Sequence, residues 1–203
     1  MLLKHYFLIL IITILFGSAY PVQKLIFNEN VPPILMGSLR MLVVFLCLMP
    51  FWKFKIPEKK YWIPLFFFSL CMGFLANVFM TLSLNQARIV SPIIIGSQLA
   101  IPFAILLSSL FLKEKVTNKK WILILISFFG VILLGFDPLI RHEILALFLI
   151  GFMAFFYACA QVFSRYLKDL EVIQTNAFMG LCGFILLITT SFFFEGEVIK
   201  NTM

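Results

Sequence analysis

Seven apolar runs, each close to the length of a membrane-crossing helix, divide this sequence almost from end to end. They cover 6–27, 34–52, 62–83, 90–112, 121–136, 144–163 and 173–194. A helix needs about 20 such residues to cross a hydrocarbon core of about 30 Å. Inside lipid no water satisfies backbone polar groups, so segments of this kind must form helices that close their own hydrogen bonds. The chain is therefore read as all-α, a polytopic helical membrane protein with about seven transmembrane helices. Composition agrees: 63% of residues are apolar and 12% charged, against about a quarter charged in soluble domains. The division between the third and fourth runs, at 84–89, is the finest. Arg88 argues for a break there, because a charge at mid-bilayer depth is costly.

The formal charge of +7 lies in short loops rather than in a long basic segment, so it does not describe a nucleic-acid binder. Lys53, Lys55, Lys59 and Lys60 follow the second run; Lys113, Lys115, Lys119 and Lys120 follow the fourth; Arg165 and Lys168 follow the sixth. The intervening loops hold Lys24, Arg88 and Arg141 beside Glu29, Asp137 and Glu143, so ten basic residues face three. Basic loops stay cytoplasmic, which sets the N-terminus inside and the end of this chain outside. Trp52, Trp62 and Trp121 fall at the cytoplasmic edges, where amphipathic rings settle. Lys4, the apolar 6–16 and Gly17-Ser18-Ala19 also have the outline of a signal peptide, but the apolar run continues past them, as an uncleaved first helix does. Cys47, Cys71, Cys159 and Cys182 all lie inside apolar runs without metal-site spacing and read as packing residues.

An internal repeat carries more information. Displaced by 141 residues, the first run lies over the sixth, with Phe16 on Tyr157, Lys24 on Arg165 and Val31 on Val172. Each copy is an apolar helix ending in an aromatic, seven mostly small or polar residues and a base, followed by a short loop and a second helix. The first run goes outward and the sixth inward, so the copies are inverted. Inverted repeats are frequent in secondary transporters.

Residues Phe16-Gly17-Ser18-Ala19-Tyr20-Pro21-Val22-Gln23-Lys24, then Val31-Pro32-Pro33 and Ser38-Leu39-Arg40, resemble the opening of EamA-type members of the drug/metabolite transporter superfamily. Ser97-Gln98-Leu99-Ala100-Ile101-Pro102, Phe111-Leu112-Lys113-Glu114-Lys115-Val116-Thr117, Trp121 and Phe129-Gly130-Val131 continue that pattern in order. The resemblance implies ten helices in two inverted five-helix repeats around a central cavity. It also implies alternating-access transport of small metabolites such as amino acids or related compounds, export among the directions, in a bacterial inner membrane, with no cofactor. On that pattern 1–137 is a first repeat and 138–203 two helices of a second. The sequence stops nine residues after the seventh run, so three helices of the pattern are lacking, and a transport-incompetent fragment or half-assembly is the alternative. Phe16, Ala19 and Lys113 stand where the family usually has tryptophan, often asparagine and often glycine.

Polar groups at membrane depth need a partner or a cavity, which makes them the candidates. Gln98 lies near the middle of the fourth run with Pro102 one turn on. Proline frees a carbonyl a turn earlier, so this segment either offers groups to a substrate or makes an inter-helix hydrogen bond. Gly96, Ala100, Ala104 and Ser108 recur every four residues, a small-residue face for close helix packing and a candidate homodimer surface. Gln98 sits about 200° from Gly96 at about 100° per residue, away from that face. Tyr20 and Tyr157 line the cavity or belong to the interfacial belt; Asn77 is too polar for lipid and serves substrate or packing. Arg40, about two turns into the second run, holds an anionic substrate group or snorkels to the headgroups, as does Lys24. Glu114 is expected to make contacts in its cytoplasmic loop. Enzyme chemistry is disfavoured: His5 and His142 sit at helix ends without a serine partner, and the acids lie outside the runs. The seventh run lacks the lysine a retinal protein would need.

Overall fold

The computed structural model describes residues 2–52, 57–114, 116–134 and 141–196. Among the described residues the chain forms seven long helices. They are α1 (Leu2–Asn28), α2 (Pro33–Leu48), α3 (Lys59–Gln86), α4 (Val90–Phe111), α5 (Asn118–Leu134), α6 (Ile144–Tyr166) and α7 (Val172–Phe194). A 3-10 turn, Met49–Phe51, extends α2. All except α5 are long and apolar enough to cross a membrane. The described part of α5 is 17 residues, and the expected end of that span at Phe136 lies outside the described residues, as do Lys53, Lys55, Lys115 and Asp137. The antiparallel order leaves two ends, one holding the described loop lysines and one poor in them.

The division between α3 and α4 falls at residues 87–89, where Ala87 and Ile89 are extended and Arg88 is exposed. The third span is longer than the sequence suggested, running from Lys59 to Gln86 over 28 residues. At about 1.5 Å per residue that exceeds the hydrocarbon thickness, so α3 reaches into the headgroup regions or tilts. Its middle, Ser69–Leu75, is π-helical, and α7 presses on that stretch. A Cβ on Gly183 would lie 2.7 Å from the Gly73 carbonyl oxygen. Three residues earlier, a Cβ on Gly180 would meet the Phe45 amide nitrogen at 3.1 Å and the Met41 carbonyl oxygen at 3.3 Å. With these two glycines α7 lies backbone to backbone on both α2 and α3, the close approach small residues permit in membranes.

Helix α6 is the other hub, packed on α3 and α4. Ser83 of α3 donates to the Ala146 carbonyl of α6 at 2.7 Å inside this contact. The small-residue face of α4 is met by α6 of the same chain: a Cβ on Gly96 would reach Ile150 Cγ2 at 2.6 Å, and Ala100 packs with Ala154. Helix α6 thus packs against the Gly96 and Ala100 part of this face, while Ala104 and Ser108 are half-buried and border a groove. Trp52 and Trp62 both stack edge-on against Phe178, at 5.2 and 5.9 Å, and join α2, α3 and α7 at the lysine-rich end; Trp121 is exposed.

Helix α1 joins the bundle only near its C-terminal end. Residues 5–15 are all exposed, whereas Tyr20 is half-buried and Gln23 and Phe27 are buried. Those three positions share one helix face by their spacing of three and four. Below Tyr20, toward the lysine-rich end, α1 stands away from its neighbours.

Candidate functional site

Three of the expected residues meet where α1 leaves the bundle. Arg40 of α2 donates from Nη2 to Asn77 Oδ1 of α3, and its two terminal nitrogens lie 3.7 and 3.8 Å from Met80 Sδ. Tyr20 of α1 and Met80 pack against the same apolar cluster, which brings Tyr20 to this level. Gly37 makes the approach possible: a Cβ there would stand 3.3 Å from Thr81 Cγ2, so α2 and α3 run close one turn from Arg40. Helix rise puts Tyr20, Arg40 and Asn77 roughly 10–14 Å below the lysine-poor ends of their helices, at one shared level.

Asn77 is fixed by the π segment. Its Nδ2 donates to the carbonyls of Met72 at 2.8 Å and Gly73 at 3.2 Å, which the altered helix register leaves exposed. This holds the amide with Oδ1 toward Arg40. Asn77 is buried while Arg40 is half-buried. No salt bridge to Arg40 is present among the described residues. A guanidinium carries five donors and a permanent charge, and here it meets only a neutral amide oxygen and a thioether.

Tyr157 of α6 and Tyr20 pack against one apolar cluster that includes Ile93, Ile150 and Met153. Tyr157 also packs against the Leu99, Ala100 and Ala154 cluster, beside α4. Gln98 and Pro102 sit elsewhere. They line a groove of about 370 Å³ between α4 and α5, with Leu99, Ser127, Gly130 and Val131. The Gln98 side chain is exposed. The carbonyl that Pro102 cannot engage is Gln98's own, and it accepts instead from the Ile101 amide at 3.1 Å in a tighter turn. The structure thus brings Tyr20, Arg40 and Asn77 together, holds Tyr157 against the same core, and separates Gln98 and Pro102 from them.

Lys24 is an end cap: Nζ donates to the Asn85 carbonyl at 3.3 Å, one of the last of α3. Glu114 pairs with Arg165 at 3.3 Å at the lysine-rich end, as expected of a loop contact. The pair borders a groove of about 290 Å³ that also takes in Ser108, Lys120 and Gln161.

Two acids flanking the long helices, Glu143 and Glu195, are not singled out by the sequence, and both are buried. Glu195, just past α7, accepts the Ile34 and Leu35 amides at 2.8 and 2.9 Å and the Ser191 hydroxyl at 2.7 Å. Glu143, just before α6, accepts the Arg88 amide through both oxygens at 2.9 and 3.0 Å, at the entrance of α4. Glu195 meets first-turn donors at the positive end of the α2 dipole, whereas Glu143 holds the amide just before the Ile89 N-cap of α4. A signal was present: α2 starts at Pro32-Pro33 and α4 after Ile89, neither with a capping side chain of its own. Gln23 was also missed as a separate feature. It is 5% exposed, and its Nε2 has no hydrogen-bond partner among the described residues.

No solved structure matches this chain. A protein of Acidianus ambivalens described as an uncharacterized transporter in the sor 3′ region is 29% identical over 167 residues. That alignment takes in 79% of this chain and 62% of the relative, so the chain spans about three-fifths of that relative's length. The family model described as EamA-like transporter family matches residues 3–136. The chain is a multi-pass helical membrane protein, and it belongs to the EamA-like transporter family.

Proposed function

We propose that this chain moves small metabolites, amino acids or related compounds, by alternating access past the Tyr20, Arg40 and Asn77 level. The observation that carries the reading is the Arg40–Asn77 bond between α2 and α3, with Tyr20 packed beside Met80 against the same cluster, at the point where α1 parts from the bundle. Family membership supports transport rather than enzyme chemistry. The lysine-poor ends are joined across helices by Glu143, Glu195 and Lys24, while α1 is unpacked toward the lysine-rich end. With the lysine-rich end cytoplasmic by the positive-inside rule, this is a state open to the cytoplasm, from which an exporter loads. The membrane is then the bacterial inner membrane, with 1–137 and 138–203 as inverted repeats. Flux of radiolabelled amino acids and nucleoside derivatives in liposomes tests it; flat traces across the panel refute transport by this chain alone.

A second reading, a chain that transports only within a larger assembly, is supported by its spanning 62% of its relative. Cross-linking in native membranes separates the two: a single crosslink-free species that still transports excludes it.

A further inference from the structure

We infer that the Arg40 level is a binding site for one anionic oxyacid group, a carboxylate or a phosphate, carried by a small ligand. The inference rests on reading this level as the substrate site and adds the charge of what it takes. It starts from an imbalance of donors. Arg40 brings a fixed positive charge to membrane depth and has no carboxylate opposite it among the described residues; its acceptors are Asn77 Oδ1 and Met80 Sδ. Such a charge is rare at that depth without a partner.

Gln23 supplies an independent observation. Its side-chain nitrogen is an orphan donor in a residue 5% exposed. It lies one turn beyond Tyr20 on the same face of α1, and Tyr20 packs against the same cluster as Met80, whose sulfur lies against the guanidinium. A buried donor left unpaired is costly, so its persistence signals an acceptor yet to arrive. Guanidinium, amide N–H and phenol O–H are all donors, and the group that satisfies them together has several lone pairs and negative charge. Asn77 cannot be that group, since it is neutral and offers a single amide oxygen, already taken by Arg40. Its role is to hold the guanidinium in place. The gap where α1 stands clear of the bundle leads to this level.

The anion has two possible sources, a soluble metabolite or a lipid headgroup. The full chain is purified into nanodiscs of phosphatidylcholine alone, and thermal stability and calorimetric binding are read with phenylacetate, inorganic phosphate and the neutral control phenylacetamide. A parallel set carries phosphatidylglycerol. The expected result is binding of a soluble anion but not of phenylacetamide, weakened about tenfold or more in Arg40→Gln, the loss of one charged hydrogen bond. Gln23→Met, which leaves the charge untouched, weakens it about threefold or more by the same reasoning. Should Arg40→Gln fail to fold, Arg40→Lys keeps the charge but loses the planar fork and still weakens binding. Stabilisation only by phosphatidylglycerol, lost in Arg40→Gln, assigns the anion to lipid. Responses equal for phenylacetate and phenylacetamide, or unchanged in both Arg40 and Gln23 variants, overturn the inference. Because binding is read without flux, retained anion binding with flat transport traces refutes the transporter reading and leaves this one standing.

Discussion

Replacing Gly183 by alanine tests the packing that holds α7 to the rest of the bundle. The added Cβ would stand 2.7 Å from the Gly73 carbonyl oxygen and 3.0 Å from the Gly73 Cα and carbonyl carbon. All three are backbone atoms and no rotamer relieves them. A comfortable carbon–oxygen contact is about 3.3 Å or more, so α7 must retreat by roughly 0.6 Å. A gap of about that size costs neighbouring atom pairs a quarter to a half of their dispersion energy. Gly180 lies three residues away against α2 and is dragged with it, so the loss spreads along both contacts. Overpacking of this sort costs about 1–3 kcal/mol, while alanine regains at most about 1 kcal/mol of helix propensity. The internal control is Gly151→Ala, where a Cβ meets nothing within 4 Å; it keeps the propensity gain without the clash. Reversible unfolding in mixed micelles by rising SDS fraction, followed by tryptophan fluorescence, reads both. Gly183→Ala should be destabilised and Gly151→Ala unchanged or slightly stabilised. If the two variants unfold together, the backbone contact between α3 and α7 is wrong.

Other outcomes follow from the same structure. Glu195→Ala leaves the Ile34 and Leu35 amides without their acceptor and should cost about 2–4 kcal/mol, seen as faster amide exchange at the start of α2. Glu195→Gln keeps one acceptor and should lose less; equal exchange in all three proteins would remove the cap from the account. Ser83→Ala deletes the buried bond to the Ala146 carbonyl and should cost about 1 kcal/mol in the same unfolding assay. A double-mutant cycle on Glu114 and Arg165, an exposed pair at 3.3 Å, should give a coupling below about 1 kcal/mol that fades with added salt.

Hydropathy alone determined the seven long helices found among the described residues and nearly where each begins, because in lipid every backbone donor must be paired within its own segment. That is why the break at Arg88 was legible from one costly charge. Polarity at depth likewise pointed to Tyr20, Arg40 and Asn77 before any geometry was known. Which of those residues meet is a different matter, since it depends on how helices distant in sequence pack. Arg40 reaches Asn77 because Gly37 admits Thr81 and because the π segment turns Asn77 inward. Gln98, equally polar, lies instead in the α4–α5 groove. The small-residue face of α4 was readable as a packing face, but sequence could not say that α6 meets its Gly96 and Ala100. Glu143 and Glu195 show the same limit. A short-range pattern reveals that α2 and α4 start uncapped, and only the tertiary structure brings acids from 161 and 55 residues away to close them.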